Sequence, residues 1–152
     1  MNLIIGAGTR HIEGYKTHDV LPLKGIDYVC EFFDLPKHVK KSSCDEIQMT
    51  HFLEHFEPTK TQKVLKTVKG LLKSGGKLYI EVPNLYWHAL KIIEDPTDRQ
   101  IVEYAYGGQK DKWDYHYTGF TPEMLHEELS IAGFIVDMLT PNTSIECWAV
   151  KP

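Results

Sequence analysis

The run Asn2-Leu3-Ile4-Ile5-Gly6-Ala7-Gly8 constrains the fold more than any other stretch of the chain. Three consecutive apolar residues, two of them β-branched, read as a short buried strand, and a glycine pair then turns the backbone sharply. In doubly wound α/β domains such a strand-to-glycine turn opens a nucleotide-type pocket at the carboxyl ends of parallel strands. Alone the motif is weak. It gains from acidic residues at the expected ends of the next two strands, Asp19 and Asp34.

With 152 residues the expectation is one domain spanning residues 1–152. The formal net charge is -4, from 17 basic and 21 acidic residues. Lys60, Lys63, Lys66, Lys69 and Lys73 fall along one predicted helix and read as its solvated face. The overall acidity disfavours extended nucleic-acid contact. No apolar run approaches the roughly 18 residues that would cross a membrane, and the start lacks a secretory pattern. Cys30, Cys44 and Cys147 are odd in number and widely spaced, which suits free thiols in a reducing compartment. These features together predict a cytoplasmic protein without a membrane partner.

Strands are predicted at Leu3–Ile5, Tyr15–Val20, Tyr28–Phe33 (stopped by Pro36), Asp45–Met49 and Lys77–Val82. Only Thr9–Gly14 separates the first two, so that crossover shrinks to a turn. Val64, Leu65, Val68, Leu71 and Leu72 recur at helical spacing within a helix from about 59 to 72. A shorter helix fits Trp87–Ile93. Residues 95–117, rich in charge and aromatics, read as an excursion that covers a pocket. Thr121 and Pro122 start a helix that Gly133 ends, and Phe134–Thr140 with Ser144–Val150 form an antiparallel pair. The sum is a doubly wound, mostly parallel α/β sheet of seven strands, with helices on both faces, a C-terminal hairpin and a reduced first crossover.

At this point the chain resembles a class I S-adenosylmethionine-dependent methyltransferase, and within that class the small predicted methyltransferases of the type 11 superfamily. The carrying segments are Ile4–Gly8, Gly14–Asp19, Asp45–Ile47, His51–His55, Leu71–Leu78 with Val82-Pro83, and Gly119–Glu123 with Ala132–Phe134. Their order and spacing carry the resemblance, which covers nearly the whole chain. It implies S-adenosylmethionine as cofactor and S-adenosylhomocysteine as product. The N-terminal helices that often cover the cofactor in such proteins have no counterpart. The 95–117 excursion, a second copy of the chain or a partner subunit would then close the pocket.

The resemblance also assigns residues. Gly6, Ala7, Gly8 and Thr9 would face the amino-acid part of the cofactor. Asp19, followed by Val20, would accept hydrogen bonds from the ribose hydroxyls, and charge-assisted bonds of that kind are the stronger ones. Asp34 and Leu35 would meet the adenine, with Glu31 competing for the carboxylate role. Thr50 and His51 follow the fourth strand, which points at the transferred methyl group. His51 is a candidate base because an imidazole titrates near neutrality, and His116 is the second candidate. Asn84, Tyr86, Trp87 and Tyr117 are candidates for the acceptor rim.

His51-Phe52-Leu53-Glu54-His55 is not the zinc-protease motif, since its glutamate is misplaced. No third ligand is evident in the sequence, so the segment reads as structural and no metal is expected. Gln48-Met49-Thr50-His51 stands where amino-group methyltransferases acting on nucleic acid carry an asparagine-proline-proline-aromatic run. That leaves methyl transfer to an oxygen or nitrogen of a small molecule or saccharide as the leading function. The alternatives are a non-catalytic cofactor-binding or scaffold module of the same fold, active only with a partner, and a nicotinamide enzyme. The shortened first crossover and terminal hairpin weigh against the latter.

Overall fold

A computed structural model describes residues 1–152. Seven strands form one sheet: β1 (Asn2–Ile5), β2 (Tyr15–Asp19), β3 (Tyr28–Val29), β4 (Cys44–Thr50), β5 (Leu72–Pro83), β6 (Ile135–Pro141) and β7 (Ser144–Val150). Their spatial order is β3-β2-β1-β4-β5-β7-β6. The first five run parallel, and β7 lies antiparallel between β5 and β6. This is the seven-stranded, mostly parallel arrangement with a C-terminal hairpin that the sequence predicts. Four α-helices accompany it: α1 (Thr61–Leu71), α2 (Leu85–Glu94), α3 (Arg99–Tyr106) and α4 (Pro122–Ile131). None is long and apolar enough to cross a membrane.

One face of the sheet carries the core. Leu3 and Ile5 of β1, Ile47 and Met49 of β4, Leu78, Ile80 and Val82 of β5, and Ile145, Cys147 and Ala149 of β7 join one buried cluster. Val64, Leu65 and Val68 of α1 and Leu125 and Leu129 of α4 close it from above. Alternation along each strand sends the remaining residues to the other face. There Ile4, Gln48 and Tyr79 stand in register across β1, β4 and β5, and Trp148 of β7 pairs with Tyr79. Residues 6–14 and 20–27, which join β1 to β2 and β2 to β3, hold no α-helix, in keeping with the reduced first crossover that the sequence predicts. Polar residues make the face that carries Gln48 compatible with water. Arg10 crosses it and donates to Thr50 Oγ1 at 2.5 Å and Gln48 Oε1 at 2.8 Å.

Two further differences from the predicted elements bear on the site. Strand β3 stops after two residues, and Phe32–Lys37 forms a 3-10 helix with Pro36 inside it. Phe32, Leu35 and Val39 are all buried, a helical spacing of three and four that overrides the strand propensity of Phe32 and Phe33. Within the 95–117 excursion, α3 starts at Asp98, whose side chain accepts from Gln100 N at 2.9 Å. That N-cap is what organises the segment.

Candidate cofactor and acceptor site

A cavity of about 600 Å³ opens at the carboxyl ends of β1, β2 and β4. Open α/β sheets bind ligands at this end because the strand order reverses there and the loops part. Gly6 and Gly8 line it with φ of +65° and +54°, in the left-handed region that side chains disfavour. Asp19, at the end of β2, reaches back to this turn. Its Oδ2 accepts from Gly8 N at 2.8 Å and its Oδ1 from Leu21 N at 2.9 Å. The carboxylate is thus fixed from two sides, and each oxygen keeps a lone pair for another donor. Val20 continues the same wall.

Opposite stands a group of four phenylalanines. Phe32 and Phe33 follow β3, and Phe52 and Phe56 follow β4; all four line the cavity. Phe32 packs edge-on against Phe33, Phe52 and Phe56 with ring centroids 5.1 to 5.6 Å apart. Such a wall offers flat apolar contact to a ring-shaped ligand. Lys110 to Asp114 and Tyr117 close the outer side, so the excursion does form part of the cavity wall.

His51 lies at the inner edge with φ +50°, a strained conformation for a residue with a side chain. Its N–H donates to Glu81 O at 2.9 Å, which ties the turn to β5. Nδ1 is 3.1 Å from Glu54 Oε1, and Nε2 is 3.5 Å from Glu81 Oε1. The hydrogen bond that His51 donates to Glu54 raises the pKa of His51, against the opposing effect of burial. For His116 the balance is reversed. Burial lowers its pKa, and the charge of Glu54 offsets this only in part.

Seven of the residues selected from sequence meet at the cavity: Gly6, Gly8, Asp19, Val20, Glu31, His51 and Tyr117. Ala7 is buried beneath the turn, where its N–H donates to His18 O at 2.9 Å, and Thr9 is exposed outside it. Asp34 and Leu35 do not reach the cavity. The 3-10 helix turns Leu35 fully into the core and leaves Asp34 ion-paired with Lys37 at 2.6 Å. Glu31, Phe32 and Phe33 occupy the wall in their stead. Thr50 faces the polar side of the sheet and is held by Arg10. Asn84 is consumed as the cap of α2, accepting from Trp87 N and donating to Asn142 O. His116 lies behind the wall, 4.0 Å from Glu54 Oε1. The phenylalanine wall was unselected, although Phe52 and Phe56, four residues apart after a strand, are a readable signal.

His18, at the base of the cavity, is buried; its Nε2 meets Cys30 O at 3.0 Å and its Nδ1 has no partner. Since a carbonyl only accepts, Nε2 carries the hydrogen, and the buried Nδ1, without a partner, disfavours a second one. Burial lowers the pKa of His18. Above about pH 6.5 the ring is neutral in both folded and unfolded chains and adds no pH dependence. As the pH falls below that value the unfolded chain takes up a proton first, so stability declines, by at most about 1.4 kcal/mol per pH unit for one group. Urea denaturation between about pH 7.5 and about pH 5.5 should show this decline, and His18→Leu should make it shallower. Equal slopes for the two proteins would remove His18 as a cause.

No family model matches this chain, nor does any curated protein sequence. Solved structures do. The 1,6-didemethyltoxoflavin-N1-methyltransferase of Burkholderia thailandensis, with 1,6-didemethyltoxoflavin and S-adenosylhomocysteine bound, superposes with a TM-score of 0.69 at 16% identity, over 99% of this chain and 70% of that one. A SAM-dependent methyltransferase from Archaeoglobus fulgidus gives 0.65 at 17% identity, over 99% of this chain and 85% of that one. One from Methanosarcina mazei gives 0.67 at 19% identity, over 99% and 91%. The fold is therefore that of class I S-adenosylmethionine-dependent methyltransferases. Identity this low carries the fold and no more.

Proposed function

We propose that residues 1–152 form one S-adenosylmethionine-binding domain that transfers a methyl group to an oxygen or nitrogen of a small molecule or saccharide. The observation that carries this reading is the coincidence of the β3-β2-β1-β4-β5-β7-β6 order with a cavity bounded by Gly6, Gly8 and Asp19. The Burkholderia enzyme of the same fold, solved with S-adenosylhomocysteine, supports it. The finer type 11 affinity rests on the sequence segments alone.

In this reading the glycine turn lets the amino-acid part of the cofactor approach the backbone, and Asp19 accepts from its ribose hydroxyls. Adenine lies against the phenylalanine wall, with Glu31 rather than Asp34 as the nearby carboxylate. The acceptor approaches from the side of His51, in line with the methyl–sulfur bond. As its oxygen or nitrogen bonds to the methyl carbon, the carbon–sulfur bond breaks, its electron pair stays on the once-cationic sulfur, and the acceptor's proton passes to His51. Of the two candidate bases, His51 is assigned this role because it lines the cavity and His116 does not. Most of the rate gain would come from alignment, with proton removal a smaller part.

Calorimetry with S-adenosylmethionine, S-adenosylhomocysteine and NAD on the intact chain tests this. Saturable one-to-one binding of both sulfur ligands and none of NAD is the expected result. A folded sample that binds neither sulfur ligand would overturn it. Binding without transfer to any acceptor, including in the presence of a partner, would leave the cofactor-binding module instead.

A further inference from the structure

We infer that Glu54, His55 and His116 form a site for one divalent transition-metal ion at the back of the cavity wall. The three residues come from segments about sixty positions apart that are fastened together through their backbones. Tyr117 N and Thr118 N both donate to Glu54 O, at 2.9 and 3.2 Å, and Thr118 Oγ1 donates to Phe56 O at 2.6 Å. His55 Nδ1 meets Tyr115 O at 3.0 Å. These bonds deliver His116 to the pair formed by Glu54 and His55. One ligand atom from each of the three then lies within 4.8 Å of the others. Bonds of about 2.0–2.2 Å to an ion would need each atom to move inward by about 1 Å, within reach of side-chain rotation.

Two further observations point to a ligand here. A carbonyl can only accept, so the contact to Tyr115 O puts the hydrogen of His55 on Nδ1 and leaves the Nε2 lone pair free. Metal-binding histidines are held in just this way by a backbone carbonyl on the other nitrogen. Glu54 is 1% exposed; one oxygen meets His51, and Oε2 is buried without any hydrogen-bond partner. An unsatisfied oxygen of this kind is destabilising, the more so when charged, and no lysine or arginine pairs with it. His116 Nε2 stands 4.0 Å from Oε1, the oxygen that His51 also meets, and a cation between the carboxylate and the two imidazoles would balance its buried charge, with rotation of the carboxylate bringing Oε2 to the ion. Two nitrogens and one carboxylate oxygen suit Zn²⁺, Co²⁺, Fe²⁺ or Mn²⁺ better than Mg²⁺ or Ca²⁺, which prefer all-oxygen sites.

The consequence for chemistry rests on the methyl-transfer reading. Of the three ligands only His55 lines the cavity, so an ion held here would act on the site by fixing His55 and, through Glu54, the position of His51.

Chelator-treated protein titrated with Co²⁺ and Zn²⁺, followed by calorimetry and by the visible absorption of cobalt, tests the site without any turnover. One equivalent per chain should bind. His116→Gln and Glu54→Gln should weaken Co²⁺ binding by at least ~100-fold, while His126→Gln, on the exposed side of α4, should leave it unchanged. A folded wild-type chain without saturable binding, or His116→Gln binding as tightly as wild type, would overturn the site. His116→Gln alone decides if Glu54→Gln fails to fold. S-adenosylhomocysteine binding is measured on the same samples: Co²⁺ without the sulfur ligand removes only the methyl-transfer reading, and the sulfur ligand without Co²⁺ removes only the metal site.

Discussion

Asp19→Ala is expected to weaken S-adenosylhomocysteine binding by more than ~100-fold while leaving the sheet folded. In the proposed complex the carboxylate accepts from two ribose hydroxyls. Hydrogen bonds to a charged group are worth about 1.5–3 kcal/mol each, so losing two removes several kcal/mol. The same carboxylate also holds Gly8 N and Leu21 N. Its removal therefore loosens the glycine turn, and a stability loss of about 1–3 kcal/mol should accompany the binding defect. Asp19→Asn separates the two parts. Its amide nitrogen must face either Gly8 N–H or Leu21 N–H, neither of which can accept, whereas a ribose hydroxyl can, so it should recover more affinity than stability. Calorimetry and urea denaturation on the same samples read the two quantities. An Asp19→Ala protein that loses stability but binds the ligand as tightly as wild type would show that Asp19 serves the turn alone.

Much of the frame was legible because it follows from local pattern. Leu3–Ile5 and Leu78, Ile80 and Val82 declare buried strands, Val64 through Leu71 declares the face of α1, though Leu72, which the same pattern includes, already opens β5, and Thr121-Pro122 with Gly133 brackets α4. The pocket end was legible through Gly6, Gly8 and Asp19, because a glycine turn and a strand-terminal acid have few other uses together. What escaped depends on contacts between distant parts. Phe32 and Phe33 suit a strand by propensity, and only the core decides that Phe32, Leu35 and Val39 fold helically and take Asp34 out of reach of the cavity. The meeting of His116 with Glu54 and His55 is made by backbone hydrogen bonds between segments about sixty residues apart, so no spacing in the sequence announces it.

The glycine turn supplies the second large effect, and its two glycines should respond differently. Gly6→Ala is expected to destabilise the chain by about 2–5 kcal/mol. A side chain at φ +65° costs about 1–2 kcal/mol by itself, since the left-handed region crowds Cβ against the backbone. A Cβ at Gly6 would also collide with the ring of Phe52, at its Cδ2 edge. Phe52 cannot swing away freely, because it packs against Phe32 and Phe56 with centroids 5.3 and 5.1 Å away. Overpacking of that kind adds about 1–3 kcal/mol. At Gly8, with φ +54°, nothing lies within 4 Å of a Cβ, so Gly8→Ala bears only the conformational cost of about 1–2 kcal/mol. The difference between the two variants isolates the contact with Phe52. The double variant Gly6→Ala with Phe52→Leu, which removes the aromatic edge, should be less unstable than the two single losses added together. Urea midpoints of the four proteins decide the matter: equal losses at Gly6 and Gly8, or strict additivity in the double variant, would mean that backbone strain alone is felt and that the turn does not bear on the phenylalanine wall.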